Sequence, residues 1–190
     1  MQKIISLFQR NYDGDHLVRN EVVPGAEWVL AGEGVATQKV DGSCCLVRDG
    51  MLFRRYEIKP GGKSPEHFEA VAGDPVTGKI QGWVAVGQSA DDRWHRAAWE
   101  DLDNTGGQPL ADGTYELCGP KVNGNPEGFG GHHLIGHGCI RLLDCPRTFD
   151  EIKAYLAPLD IEGIVWHHPD GRMVKIKKKD FGLKLKPAAP

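Results

Sequence analysis

The 190-residue chain carries 25 glycines and 12 prolines, spread along its length rather than gathered in one tract. These residues end helices and strands and open turns, so frequent punctuation of this kind leaves room only for short elements. Between them lie runs rich in Val, Ile, Leu and aromatic residues, which favour a sheet-dominated fold. Strands are predicted at 37–40, 43–48, 51–56, 83–86, 113–117, 138–143, 161–166 and 172–177. Asp49-Gly50 is the turn pair preferred in tight hairpins and should join the second and third of these. Helices are predicted at 91–102 and 148–156, the latter opened by a capping box of Thr148 with Glu151. The polar stretch 57–75 shows no clear period and reads as loop, with one helical turn around 66–70.

Charge narrows the possible partners. With 23 Lys+Arg against 26 Asp+Glu, the net charge is −3, so any contact with nucleic acid must come from local basic patches. A chain of this length can bury a sizeable core without disulfides or a structural metal, and one domain spanning 1–190 is expected. No run approaches the ~20 apolar residues of a membrane span and the N-terminus lacks a signal-peptide core, so a cytoplasmic protein is expected. The five cysteines form no C-x-x-C pair, and their odd number argues for reduced thiols packed in the core.

The chemistry starts at Lys39-Val40-Asp41-Gly42, at the end of a predicted strand. A lysine there can present its amine to a pocket, and Gly42 would let the chain turn and a ligand approach closely. The same four residues also describe a surface lysine before an Asp-Gly turn. Its companions favour the first reading. Arg54-Arg55, Tyr115-Glu116-Leu117-Cys118-Gly119, Glu162-Gly163-Ile164-Val165-Trp166 and Lys175-Ile176-Lys177 each set charge at or within an apolar strand. One such charge usually snorkels to solvent, whereas several in one chain suggest a shared polar pocket.

The ordered set KVDG, YELCG, EGIVW and KIK resembles motifs I, III, IV and V of the covalent nucleotidyltransferases, which include ATP-dependent DNA and RNA ligases and mRNA capping enzymes. The longer strings TQKVDGSCCLV, ELCGPKVNGNPEGFG, HHLIGHG and IEGIVWHHPDGRMVKIKKKDFGL are similar to a small group of 5′-to-3′ RNA ligases with eukaryotic and viral members. The resemblance implies an α+β nucleotidyltransferase (ligase adenylylation) domain, with antiparallel sheets flanked by helices around an ATP pocket. It implies joining of RNA 5′-phosphate and 3′-hydroxyl ends through a lysyl-AMP intermediate, with ATP and Mg²⁺ or Mn²⁺ as cofactors. A capping-type guanylyltransferase and a non-catalytic RNA-end-binding module are the alternatives. No OB or C-terminal accessory domain, membrane contact or obligatory protein partner is expected.

By the same resemblance Lys39 is the nucleophile, Glu116 contacts the ribose hydroxyls and Glu162 helps to place the metal. Lys175 and Lys177 alternate about Ile176 and so share one strand face, where they would stabilise phosphate charge and disfavour a protonated neighbour. That matters because an amine attacks phosphorus only when neutral, and an unperturbed lysine has a pKa of ~10.4. Asp41 either fixes the turn after Lys39 or contacts AMP. Arg55 matches the family's arginine after the lysine hairpin and would clamp a 5′-phosphate or the ATP tail, with Arg54 on the opposite face. Gly42 and His137 complete the nucleotide set; for His137, core packing is the competing reading. Lys59 and the loop 123–128 are further candidates for contact with phosphate or nucleotide.

His132, His133, His137 and Cys139 do not follow a structural zinc spacing. The adenine-stacking aromatic that many ligases place between motifs III and IV has no counterpart in 139–143. Trp83, Trp94 and Trp166 remain, and each reads as core or platform. Seven basic residues in the tail (Arg172, Lys175, Lys177, Lys178, Lys179, Lys184 and Lys186) form a strip able to neutralise RNA backbone phosphates.

Overall fold

A computed structural model of the chain describes residues 4–104 and 108–184. The architecture is mixed α+β, with antiparallel pairing dominant and few helices. It divides into two compact units, one formed by residues 4–40 with 138–184 and the other by Asp41–His137.

The first unit is built on a four-stranded sheet in the order β1-β12-β11-β4, where β1 is Ile5–Ser6, β4 Val35–Lys39, β11 Gly163–His167 and β12 Met173–Lys177. β1 runs parallel to β12, while β11 pairs antiparallel with both β12 and β4. Alternation along β12 explains its two faces: Val174 and Ile176 are buried in the core, and Lys175 and Lys177 point the other way. Into that core pack Trp166, Leu7 and Phe8, with Ile152 and Leu156 from one face of α3 (Phe149–Leu156). A hairpin of β2 (Phe8–Arg10) and β3 (Val18–Val22) and a short α1 (Glu27–Leu30) complete the unit. Arg147 donates to the carbonyls of Val29, Glu33 and Gly34, satisfying backbone acceptors at and beyond the end of α1.

The second unit is a six-stranded antiparallel sheet in the order β10-β9-β5-β6-β8-β7. Its strands are β5 (Ser43–Arg48), β6 (Met51–Ile58), β7 (Glu69–Gly73), β8 (Ile80–Ala85), β9 (Gly113–Cys118) and β10 (His133–Gly136). Asp49 and Gly50 both have positive φ, 52° and 71°, as the tight β5–β6 turn requires. α2 (Arg93–Asn104) lays Ala98, Trp94 and Trp99 against Cys45, Val47, Leu117 and Leu134.

Several expectations need correction. Residues 138–143 are not a strand: Gly138 takes a φ of 80°, and beyond it the chain forms only an isolated bridge, Arg141 to Thr37. The strand lies earlier, at β10, where Leu134 and Ile135 sit between His133 and Gly136 and pair with β9. The stretch 57–75 holds the end of β6 and all of β7, and no helical turn forms at 66–70. Thr148 caps α3 in position, but its hydroxyl bonds the Glu151 carboxylate at 2.5 Å instead of the backbone. None of the five cysteines is in a disulfide, yet Cys139 is exposed rather than packed in the core. Among the described residues, no helix is long and apolar enough to cross a membrane.

Candidate active site

Lys39 is the last residue of β4, and the ladders place it opposite Gly163 of β11, which in turn faces Lys177 of β12. Both lysines thus flank Gly163, which has no side chain, on one sheet face. Glu162, just before β11, fills the space between the ammonium groups: its Oε2 accepts from Lys39 Nζ at 2.5 Å and its Oε1 from Lys177 Nζ. The carboxylate is only 8% exposed. Burial alone would raise its pKa, but the charges and hydrogen bonds of Lys39 and Lys177 outweigh that and hold it below its ordinary value.

Lys175 lies one alternation back on the same face, opposite Val165. Among the described residues its ammonium has no hydrogen bond or ion pair. Burial first, then repulsion from Lys177 and Lys39, lowers its pKa to about 8. A half-buried cation group without a counter-ion is a receptor for an anion. Lys175 and Lys177 border a groove of about 580 Å³, together with Ser6, Arg10, Tyr12 and Lys179. The N-terminal contributors escaped the sequence reading because β1 is a two-residue strand with no readable period. Arg10 is neutralised by the buried Asp180, which also accepts the Lys177 amide at 3.0 Å.

The remaining candidates lie in the second unit. Asp41 is held by the loop after β9: its amide donates to Glu127 Oε1 at 2.9 Å, and Asn123 Nδ2 donates to Asp41 Oδ1 and to the Gly42 carbonyl at 2.9 Å each. Asn123, Gly124, Asn125 and Gly128 all take positive φ in this loop. Gly42 itself does not. Its missing side chain serves packing, since a Cβ there would lie 2.4 Å from the Leu117 carbonyl oxygen. Glu116 is in the middle of β9, and His137 bridges to it, with Nδ1 2.8 Å from Thr114 Oγ1 and Nε2 3.1 Å from Glu116 Oε1. The second carboxylate oxygen, Oε2, is buried with no hydrogen-bond partner among the described residues.

Arg55 and Arg54 do diverge. Arg55 lies over Trp83 and bonds Gln81, while Arg54 pairs with the buried Asp92 at 2.7 Å. Lys59 is exposed past the end of β6. Trp83 and Trp166 are core residues, and Trp94 stacks on His132 at 4.5 Å. The basic strip is thinner than its sequence suggests. Lys178 is 2% exposed, with its ammonium turned in to the Leu159 carbonyl, and Arg172 is tied to Asp170, while Lys186 lies outside the described residues.

A carboxylate held between two lysines, with a third lysine beside them, is an arrangement able to handle phosphate. A family model described as RNA ligase 1 matches residues 100–189. The chain is 27% identical to RNA ligase 1 of Danio rerio, 26% to that of Pongo abelii and 25% to that of Mus musculus. Each match covers 78% of this chain and 67% of the relative. The chain is a distant relative of the RNA ligase 1 family. Glu116, His137, Glu162, Lys175 and Lys177 fall within the stretch that matches the RNA ligase 1 model, and Lys39, Asp41, Gly42 and Arg55 precede it.

Proposed function

We propose that the chain is an ATP-dependent RNA ligase, a single nucleotidyltransferase domain that joins 5′-phosphate and 3′-hydroxyl RNA ends through a lysyl-AMP on Lys39. The observation that carries this reading is the Lys39–Glu162–Lys177 cluster with the unpaired ammonium of Lys175 beside it. Lys39 Nζ first gives up a proton to become a neutral amine, then forms a bond to the α-phosphorus of ATP as the bond to pyrophosphate breaks, and a second proton leaves the nitrogen for solvent. AMP then moves to the RNA 5′-phosphate, and the 3′-hydroxyl displaces it.

Lys175 and Lys177 stabilise the charge that gathers on phosphate oxygens, in a site where few waters compete. Glu162 holds Lys39 in place before attack. Glu116 is assigned the ribose hydroxyls, with His137 fixing its carboxylate, and Arg55 a phosphate of the RNA end or the ATP tail. Mg²⁺ or Mn²⁺, when bound, supplies further charge neutralisation at phosphate. Glu162 is the residue that would hold it, as a hard oxygen donor, once one of its two lysine contacts is released. Five cysteines outside any disulfide fit a cytoplasmic setting.

Incubation with α-labelled ATP and Mg²⁺ tests the reading. A covalent adduct that survives denaturation should form on the parent protein and be lost in Lys39→Ala. Pre-adenylylated RNA should still be joined by that variant without ATP. Labelling that persists in Lys39→Ala, labelling by GTP in preference to ATP, or joining of 5′-hydroxyl RNA alone would overturn it.

A further inference from the structure

The second unit carries a cluster that the ligase reading leaves partly unused. Cys44 of β5 lies directly opposite Glu116 of β9 in the ladder, and Ile135 of β10 faces Glu116 from the other side. His137, two residues on from Ile135, shares its face. Two adjacent strands and the turn that follows β10 thus bring together a thiol, a carboxylate and an imidazole. Their donor atoms all lie within 4.8 Å of one another.

The detail is that of a metal site. The 3.1 Å between His137 Nε2 and Glu116 Oε1 is close to the edge of a tetrahedron drawn around an ion with ~2.0 Å bonds to nitrogen and oxygen. Thr114 Oγ1, 2.8 Å from Nδ1, orients the imidazole ring from behind. Glu116 Oε2 is buried and has no hydrogen-bond partner among the described residues, an arrangement that costs free energy unless something binds it. All three residues are half-buried, which leaves one side open for a fourth ligand.

We propose that Cys44, Glu116 and His137 form a binding site for a thiophilic divalent cation of the Zn²⁺ class. Thiolate and imidazole exclude Mg²⁺ as the preferred occupant and select Zn²⁺ or its spectroscopic substitute Co²⁺. The charges balance: a thiolate, a carboxylate and a neutral imidazole offset the two charges of the ion. Binding releases the Cys44 proton to solvent and leaves the Nε2 lone pair on the metal, with the imidazole proton on Nδ1 donated to Thr114 Oγ1. Affinity therefore rises with pH.

One consequence rests on the ligase reading. Because Glu116 is the residue assigned to the ribose, an ion bound there withdraws it from ATP, so Zn²⁺ acts as an inhibitor competitive with ATP.

Cobalt titration of the full chain tests the site without any reference to activity. One equivalent of Co²⁺ should produce a thiolate-to-cobalt charge-transfer band in the near ultraviolet, displaced by Zn²⁺. Cys44→Ser should remove the band, and Thr114→Val should weaken metal binding by ~10-fold or more through loss of the support behind His137. Absence of the band, or a band unchanged in Cys44→Ser, would overturn the proposal. Adenylylation is followed separately: Cys44→Ser should label with ATP as the parent does but resist Zn²⁺. If no variant or parent labels while the cobalt band behaves as stated, the ligase reading fails and the metal site stands. If labelling proceeds and the band is missing, the converse holds.

Discussion

Gly163 and Lys177 oppose each other in the β11–β12 ladder with no room for a side chain on the glycine. A Cβ built at 163 would lie 2.8 Å from the Lys177 Cα and 2.1 Å from the Ile176 carbonyl oxygen. The atoms it would meet are backbone, which cannot rotate away, so the strands must separate. Gly163→Ala should cost at least about 1–3 kcal/mol in denaturant unfolding and reduce lysyl-AMP formation, since the same displacement moves Lys177 off Glu162. Gly130 offers the control: nothing lies within 4 Å of a Cβ there and its φ is not positive. Gly130→Ala should stay within about 0.5 kcal/mol of the parent.

Lys175 should titrate near pH 8, and its neighbours fix how variants move it. Burial is the largest cause of the lowering, followed by Lys177 and Lys39, while Glu162 acts in the opposite sense. Lys177→Gln should therefore shift the titration up, and Glu162→Gln should shift it down, as read by NMR of labelled lysine side chains. For stability the sign follows from proton counting: between about 8 and 10.5 the unfolded chain holds a proton that the folded chain has released, so stability gains from this lysine as pH rises through that window.

Asp92 should anchor the acid side of the stability profile. It is 4% exposed and accepts from the Gly87 amide at 2.9 Å and the Ser89 hydroxyl at 3.0 Å, besides pairing with Arg54. Burial opposes the charge, yet these donors and the Arg54 charge outweigh it and leave the pKa below its ordinary 3.8. Its contribution is thus complete above that value and is lost as pH falls through the lower folded value. Asp92→Asn should destabilise by on the order of 3 kcal/mol at neutral pH, because it leaves a part-buried guanidinium unpaired. Urea midpoints at neutral and acid pH should converge between variant and parent.

Glu116 and Glu162 should separate kinetically. If each contact strengthens in the transition state, either glutamine variant loses at least ~10² in kcat/KM for adenylylation. The loss in Glu162→Gln should fall on the rate of lysyl-AMP formation, and that in Glu116→Gln mainly on the ATP concentration needed. Parent-like rates in either variant would assign that residue a purely structural part.

The sequence was legible where local chemistry and tertiary pairing agree. Asp49-Gly50 announces a turn that needs two positive φ angles, and β5 forms with the bounds read from its residues. The alternation of Lys175 and Lys177 about Ile176 likewise survives as one half-buried and one buried face of β12. β7 was illegible because it is an edge strand, largely exposed, with no apolar alternation to mark it. The segment 138–143 misled for the opposite reason, since its aliphatic residues are not all inside: Leu143 is 80% exposed and Ile140 is 41% exposed. Within the candidate site the residue types were readable, but their partners were not. Nothing in the order of residues says that Glu162 meets two lysines at once, or that Cys44 faces Glu116, because both depend on ladder register.

The loop after β9 governs more than its own shape. Through Glu127 and Asn123 it holds the amide and side chain of Asp41 and the carbonyl of Gly42, residues more than eighty positions earlier. Opening of that loop is therefore the event that frees the Asp41 amide to solvent, and in hydrogen exchange Asp41 should keep time with residues 122–128 rather than with β5, its neighbour in the chain. The backbone just past Lys39 thus takes its rigidity from a distant loop, and a ligand that quiets the loop also quiets the chain that leads from Lys39.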